Sequence, residues 1–265
     1  MPLPALTDWM TTAQSLHKVT QVVAAIRIAV VDPLPNYLHL STTITPHGLS
    51  TGTLPFGTVL ADFAQAAVVY THADGTTTFP FADHTQASLK DALLAELAHH
   101  GQPLELAKNE SGHEDPLTDS APLTVDPHFA ADYARVLWSI FTATARFRAR
   151  LYAPMTPIVV WPEHFDLSTL IFTTPDASEE HPHMNFGFAP YSDGIERPYL
   201  YAYAWPLPAT GYTTATLPPL VRLDTPGYGG PLVWYDEFSQ MDDVEGFVEE
   251  VFMATFRELL LLLHK

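Results

Sequence analysis

The chain has 265 residues, of which 47% are hydrophobic, so it can form a substantial core in one large domain or two small ones. Its 30 Asp and Glu residues outnumber its 12 Lys and Arg residues, and the net charge of −18 argues against nucleic acid, anionic membranes and polyanionic ligands as partners. Cysteine is absent, which excludes disulfide bonds, thiolate metal sites and cysteine nucleophiles. With no leader-like segment and no apolar run of about 20 residues, we expect a cytoplasmic protein.

The first half of the chain predicts a helix, several strands and a second helix. A short helix is expected over residues 7–20, and the run VVAAIRIAVV that follows Gln21 is expected to form a strand because it is rich in β-branched residues. Between two later β-rich runs, Asp74 and Gly75 predict a hairpin turn. Residues 83–100 carry leucines at helical spacing and predict the second helix.

The second half repeats this order of elements. Residues 108–125 are acidic, contain Gly and Pro, and show no periodicity, so we expect a long surface loop there. Asp126 followed by Pro127 predicts the start of a long amphipathic helix. Five β-rich runs follow, namely PIVVW, LSTLIFTT, MNFGFA, YLYAYAW and LPPLVRL. A last helix is expected to begin near Asp242 and to end in a leucine run too short to cross a membrane.

This order of elements predicts an α+β fold with a largely antiparallel sheet and helices at the segment ends. The chain is expected to be a single domain over residues 1–265. The repeated order also allows two similar, pseudo-duplicated halves, residues 1–107 and 126–265, joined by the acidic loop.

Polar and aromatic side chains recur on one face of three predicted strands, because side chains alternate between the two faces of a strand. In HPHMNFGFA, His183 and Asn185 fall opposite the apolar residues. In WPEHFDLSTLIF, Asp166 shares a face with His164, provided that the strand begins as early as His164. The run YLYAYAW places four aromatic residues on one face, namely Tyr199, Tyr201, Tyr203 and Trp205. If these strands are neighbours, their polar groups converge on one pocket.

The leading hypothesis is a protein that binds a small neutral or cationic ligand in this pocket. The expected ligand-binding residues are Asn185, Tyr199, Tyr201, Tyr203 and Asp193. If the protein is an enzyme, His164 is the candidate general acid or base, since imidazole titrates near neutral pH. Asp166 or Glu163 would then orient His164, and Asn185 would donate to a substrate oxygen.

Two alternatives remain open. His164, Asp166 and His183 could hold a divalent metal ion with one position open for water, although the leading hypothesis contains no metal. The aromatic strand and the leucine-rich last helix could instead form an oligomer interface in a protein without catalysis. Structural roles also fit the residues, because His164 and Asp166 can form a hydrogen bond that holds a turn, and the aromatic row can pack in a core. Nucleotide-loop, zinc-protease and serine-hydrolase motifs are absent, so the cofactor stays unknown.

The chain resembles a known family in four segments, namely SLHKVTQ, ITPHGLSTGTLP, WPEHFDL and NFGFAPYSDGIERPYLYAYAW. In this order they resemble a bacterial domain-of-unknown-function family, number 5996, over nearly the full length. Related uncharacterised bacterial proteins carry a similar WPEHFD segment. The resemblance implies which residues group together and no activity. The matching residues are His17, Thr20, Gln21, Glu163, His164, Phe165, Asp166, Asn185, Asp193, Tyr199 and Tyr201. His181 and His183 have no counterpart in the family pattern.

Overall fold

The fold was determined as a computed structural model, which describes residues 1–106, 117–207, 217–223 and 230–263. The chain divides into two compact units. The first, here called the C-terminal unit, consists of residues 1–6, 136–159 and 166–265, and the second, the N-terminal unit, consists of residues 7–135 and 160–165. Of the predicted acidic loop, residues 108–116 lie outside the described ranges.

The helices and strands alternate in blocks along the chain. The α-helices are α1 (Met10–Ile28), α2 (Gln86–His99), α3 (Pro127–Ala149), α4 (Tyr235–Phe238) and α5 (Val244–Leu263). Strands β1 to β5 are Thr43–Thr45, Gly48–Ser50, Thr58–Asp62, Ala67–His72 and Gly75–Pro80. Strands β6 to β11 are Val159–Trp161, Asp166–Phe172, His183–Ala189, Tyr199–Trp205, Arg222–Leu223 and Pro231–Trp234.

Helix α1 is longer than the sequence predicts, because it includes most of the run expected to form a strand. Val19, Val22, Val23 and Ile26 are fully buried in it. A helix buried on most of its circumference shows no clear 3.6-residue periodicity, and its β-branched residues then resemble a strand. The strand prediction for this run was wrong because tertiary packing outweighs the weak intrinsic preference of Val and Ile.

The N-terminal unit contains a five-stranded antiparallel sheet in the order β1-β2-β3-β4-β5. The predicted hairpin joins β4 to β5, with His72 paired to Gly75, so the loop is one residue earlier than the sequence suggests. Helix α2 follows, with a capping box formed by Thr85 and Ser88 at its start. At its other end Gly101 adopts φ 75°, the left-handed conformation that glycine accommodates readily.

The C-terminal unit contains the second sheet, in the order β10-β11-β9-β8-β7-β6. One face of this sheet is apolar and packs against α3 and α5. Phe186 of β8 contacts Phe147 of α3 at 4.9 Å and Phe252 of α5 at 5.4 Å between ring centroids. Burial of these aromatic rings stabilises the unit, and the alternate side chains of β8 lie on the opposite face of the sheet.

The predicted fold class is confirmed: the protein is α+β, and its described residues form two antiparallel sheets of five and six strands. The predicted start of α3 at Asp126 and Pro127 is correct, and Asp126 Oδ1 accepts a hydrogen bond from the His128 N–H at 2.8 Å. Across the described residues, every helix is too short or too polar to cross a membrane.

Candidate functional site

The central strands of the six-stranded sheet bring polar side chains together on one face. In the register of the sheet, Asn185 of β8 pairs with Tyr203 of β9, and Gly187 of β8 lies between Ser168 of β7 and Tyr201 of β9. The face opposite Phe186 therefore carries Asp166, Ser168, Asn185, Tyr201 and Tyr203, which we call the polar face. The predicted alternation of side chains is correct for β8 and β9.

A direct contact across three strands defines the centre of the polar face. The Tyr201 hydroxyl on β9 donates a hydrogen bond to Asp166 Oδ2 on β7. Its ring passes over Gly187 on the strand between them, where an added Cβ would lie 2.4 Å from Tyr201 Cζ. Glycine at this position is thus required for the close approach. Sequence analysis missed Gly187, although a glycine inside a predicted central strand is a signal for such an approach.

Asn185 lies beside this contact and donates a hydrogen bond from Nδ2 to the Tyr203 hydroxyl at 2.9 Å. Its side chain is 7% exposed, and its Oδ1 atom is buried with no hydrogen-bond partner among the described residues. A buried amide oxygen in this state is unusual, because most buried polar groups form at least one hydrogen bond. The polar face therefore includes a buried acceptor whose hydrogen-bonding capacity is not used among the described residues.

Burial and charge alter the acidity of the tyrosines. Burial, followed by the negative charge of Asp166, raises the pKa of Tyr201 well above its usual range, while a hydrogen bond with Ser168 acts in the opposite direction. Burial also raises the pKa of Tyr203, against the effect of the hydrogen bond from Asn185. Both phenols are accordingly neutral hydrogen-bonding groups at physiological pH.

The turn between β8 and β9 packs on one end of this face. The Tyr199 hydroxyl donates to the Ser192 side chain at 2.9 Å, and Ile195 packs against the cluster that contains Tyr201. Asp193, a predicted ligand-binding residue, lies exposed at the tip of this turn. The Tyr199 hydroxyl therefore helps to hold the turn, and Asp193 is exposed to solvent.

His183 occupies the far end of β8. Its ring stacks on Trp205 with a centroid separation of 5.5 Å, and its Nδ1 contacts the carbonyl oxygen of His181 at 2.8 Å. Burial is the main cause that lowers the pKa of His183, so the ring is neutral at pH 7.

The alternative metal site made of His164, Asp166 and His183 is wrong. Phe172 pairs with His183, and Asp166 lies six residues earlier on the same strand as Phe172. At about 3.3 Å per residue this places Asp166 and His183 about 20 Å apart along the sheet, too far for one ion.

Glu163 and His164, the other candidate catalytic residues, lie in the N-terminal unit and are exposed in a turn. Strand β7 begins at Asp166, so the condition under which His164 would share its strand face is not met. Within this unit, His17 Nε2 of α1 contacts the Pro162 carbonyl oxygen at 2.7 Å, and the His17 ring stacks on Phe165. The candidate site is therefore built from residues of the C-terminal unit alone.

Replacing Tyr201 by Phe is expected to change how stability depends on pH. The pKa of Tyr201 is raised in the folded state above the value near 10 that tyrosine has in the unfolded chain. The contribution of Tyr201 to the free energy of unfolding is therefore complete below about pH 10 and is lost as the pH rises further. At pH 7 the free energy of unfolding of the variant should be about 1.5–3 kcal/mol below that of the wild-type protein, the usual value of a hydrogen bond to a charged group. Between about pH 9 and 11 the variant should lose less stability than the wild-type protein does, because it lacks the Tyr201 hydroxyl. Urea denaturation at a series of pH values measures both effects. If the two proteins lose equal amounts of unfolding free energy between about pH 9 and 11, the pKa of Tyr201 is not raised in the folded state.

Comparison with known proteins gives a family and no activity. Searches of curated proteins and of solved structures found no match. The family described as Family of unknown function (DUF5996) matches residues 1–259, which is nearly the whole chain. The chain therefore belongs to this family of unknown function.

Proposed function

We propose that the protein binds a small neutral or cationic ligand on the polar face of the six-stranded sheet. The observation that carries this proposal is the buried Oδ1 of Asn185, which has no hydrogen-bond partner among the described residues. Leaving a buried acceptor unsatisfied costs about 1–3 kcal/mol. A ligand that donates a hydrogen bond to this atom removes that cost, so ligand binding accounts for an otherwise unfavourable arrangement.

The orientation of the amide does not alter this conclusion. Nδ2 of Asn185 donates to the Tyr203 hydroxyl. If the amide were rotated by 180°, the hydroxyl would donate to Oδ1, and the NH2 group would need a new partner instead. In either orientation, one polar group of Asn185 is available for a ligand.

The chemistry of the face favours an ammonium or hydroxyl donor over an anion. Strands β7, β8 and β9 contain no Lys or Arg, and Asp166 contributes a carboxylate. The rings of Tyr201 and Tyr203 are stacked with an interplanar angle of 10°. Aromatic faces attract cations and pack against sugar rings, and both interactions are compatible with a nearby carboxylate. The high net negative charge of the chain further favours cationic ligands.

The proposal is tested with three probes, ethanolamine, choline and glucose, each titrated while the thermal unfolding midpoint is recorded. We expect at least one of them to raise the midpoint of the wild-type protein in a concentration-dependent way. Asn185→Leu should weaken that binding at least about ten-fold, since one lost hydrogen bond of about 1.4 kcal/mol corresponds to that factor. The variant also loses the hydrogen bond to the Tyr203 hydroxyl, so we expect it to be less stable by about 0.5–1.5 kcal/mol and still folded.

The matched control is Met184→Leu, which changes the neighbouring residue on the same strand, where the side chain faces the opposite side. A volume-conserving core substitution of this kind should cost less than about 1.5 kcal/mol and leave binding unchanged. The proposal fails if none of the three probes shifts the wild-type midpoint, or if Asn185→Leu and Met184→Leu bind the active probe equally well.

A further inference from the structure

A second group of chemically versatile side chains lies in the N-terminal unit, where the end of α2 passes the β4–β5 hairpin. His72 is the last residue of β4, Glu96 is in the last turn of α2, and His100 follows the end of that helix. One potential ligand atom from each residue lies within 4.8 Å of the others. Among the described residues, this is the group of three His, Asp or Glu side chains that meets the distance requirement for a shared metal ion. We call it the His-Glu-His cluster.

The distance between Glu96 and His100 fits two ligands of a tetrahedral ion. His100 Nε2 and Glu96 Oε1 are 3.3 Å apart. The rings of His72 and His100 are in contact at 3.8 Å between centroids, so the His72 ring must turn away from His100 before both can bind one ion. Zinc binds histidine nitrogen and carboxylate oxygen at about 2.0–2.1 Å, which places two ligand atoms of a tetrahedron about 3.4 Å apart. The i,i+4 spacing of Glu96 and His100 on α2 supplies this pair from one helical face.

Groups outside the cluster hold its side chains in place. The Thr77 hydroxyl donates to Glu96 Oε1 at 2.6 Å, and Asp74 Oδ2 lies 3.7 Å from His100 Nδ1. Metal-binding histidines usually donate their second ring N–H to a carboxylate or a carbonyl group. The Asp74 carboxylate is near His100 but beyond hydrogen-bond distance, so it would have to move closer to take this role. The hydrogen bond from Thr77 is the main cause that lowers the pKa of Glu96, so the carboxylate is ionised at neutral pH.

One existing contact opposes metal binding by His72. The backbone N–H of Asp74 lies 3.3 Å from His72 Nδ1 and donates a long hydrogen bond to it. With Nδ1 as acceptor, the neutral ring carries its proton on Nε2. Binding an ion through either nitrogen thus requires this hydrogen bond to be given up, which is a modest cost at such a distance.

From this geometry we infer that His72, Glu96 and His100 bind a divalent transition-metal ion, Zn²⁺ being the ion whose ligand preferences they match. Three protein ligands leave a fourth tetrahedral position for water or a further ligand, as in catalytic zinc sites with two His and one Glu. The cluster is half-buried, so small molecules in solution can reach this position. Sequence analysis missed the cluster because His72 and Glu96 are 24 positions apart in the sequence and only the packing of α2 beside the hairpin brings them together.

The inference is tested on the chain of 265 residues, purified without an affinity tag and treated with a chelator before titration with Co²⁺. We expect the intense visible absorption of tetrahedral Co²⁺ to appear at one ion per chain, and Zn²⁺ to abolish it by competition. Zn²⁺ should also raise the thermal unfolding midpoint. Because imidazole binds metal only when neutral, the signal should disappear in acid.

Two variants and one control decide between a metal site and a structural ion pair. His72→Gln and His100→Gln should each weaken Co²⁺ binding at least about ten-fold. Removing a residue that only hydrogen-bonds to a metal ligand already costs about this factor, and removing a ligand should cost no less. His128→Gln, which changes an exposed histidine in α3, should leave binding unchanged. Circular dichroism establishes that the variants are folded. The inference is overturned if the wild-type protein gives no tetrahedral Co²⁺ spectrum, or if both cluster variants bind Co²⁺ as tightly as the control.

Discussion

Replacing Phe165 by Ala is expected to lower the free energy of unfolding by about 3–5 kcal/mol, the usual cost of removing a buried aromatic ring. Phe165 is fully buried, and its ring contacts those of His17, Tyr133 and Phe63 in the N-terminal unit. The residue holds φ 57°, a conformation that is unfavourable for a bulky side chain. Aromatic packing must therefore offset this local strain, and the alanine variant loses the packing.

The neighbouring His164 provides the control for this prediction. His164 is exposed in the same turn, so His164→Ala should change the free energy of unfolding by no more than about 0.5 kcal/mol. Urea denaturation of both variants measures the difference. Similar losses for the two substitutions would show that the turn, and not the Phe165 ring, supplies the stability of the WPEHFD segment.

Replacing Gly187 by Ala is expected to cost about 3 kcal/mol or more. The new Cβ would lie 2.4 Å from Tyr201 Cζ and 2.5 Å from the Leu167 carbonyl oxygen, both far inside van der Waals contact. Overpacking of this kind usually costs about 1–3 kcal/mol. The displaced Tyr201 would also lose its hydrogen bond to Asp166, which adds to the cost because the carboxylate is buried.

A double-mutant cycle separates these two contributions. In a Tyr201→Ala background the ring is gone, and the conflict of Gly187→Ala with the Leu167 carbonyl oxygen remains. We expect the cost of Gly187→Ala to be at least about 1 kcal/mol smaller in this background, within the usual range of coupling between residues in contact. Equal costs in the two backgrounds would contradict the proposed passage of Tyr201 over Gly187. Gly187→Ala and Tyr201→Ala should also weaken ligand binding at the candidate site, because Asn185 and Tyr203 lie next to the contact between Gly187 and Tyr201.

Local signals in the sequence were sufficient wherever the structure depends on neighbouring residues. The hairpin near Asp74 and Gly75, the start of α3 at Asp126 and the alternation along β8 and β9 all follow from turn chemistry, helix capping and the two-residue period of a strand. These features require only residues within a few positions of each other. For the same reason, the α+β class and the antiparallel pairing could be predicted.

Features that depend on distant residues could not be predicted. Whether VVAAIRIAVV forms a helix depends on the core that surrounds it, since its β-branched residues suit either state when they are buried. The position of His164 before β7, which removes it from the strand face, is set by where pairing with β8 begins.

By itself, therefore, the sequence determined the fold class, most of the secondary structure and the polar face of β8, because propensity and periodicity act locally along the chain. Only the tertiary structure decided which polar groups meet: Tyr201 with Asp166 across Gly187, and His72 with Glu96 and His100 at the end of α2. The physical reason is that strand order, register and helix placement are fixed by burial of the whole core, and a change of one residue in register would turn every side chain of a strand to the other face.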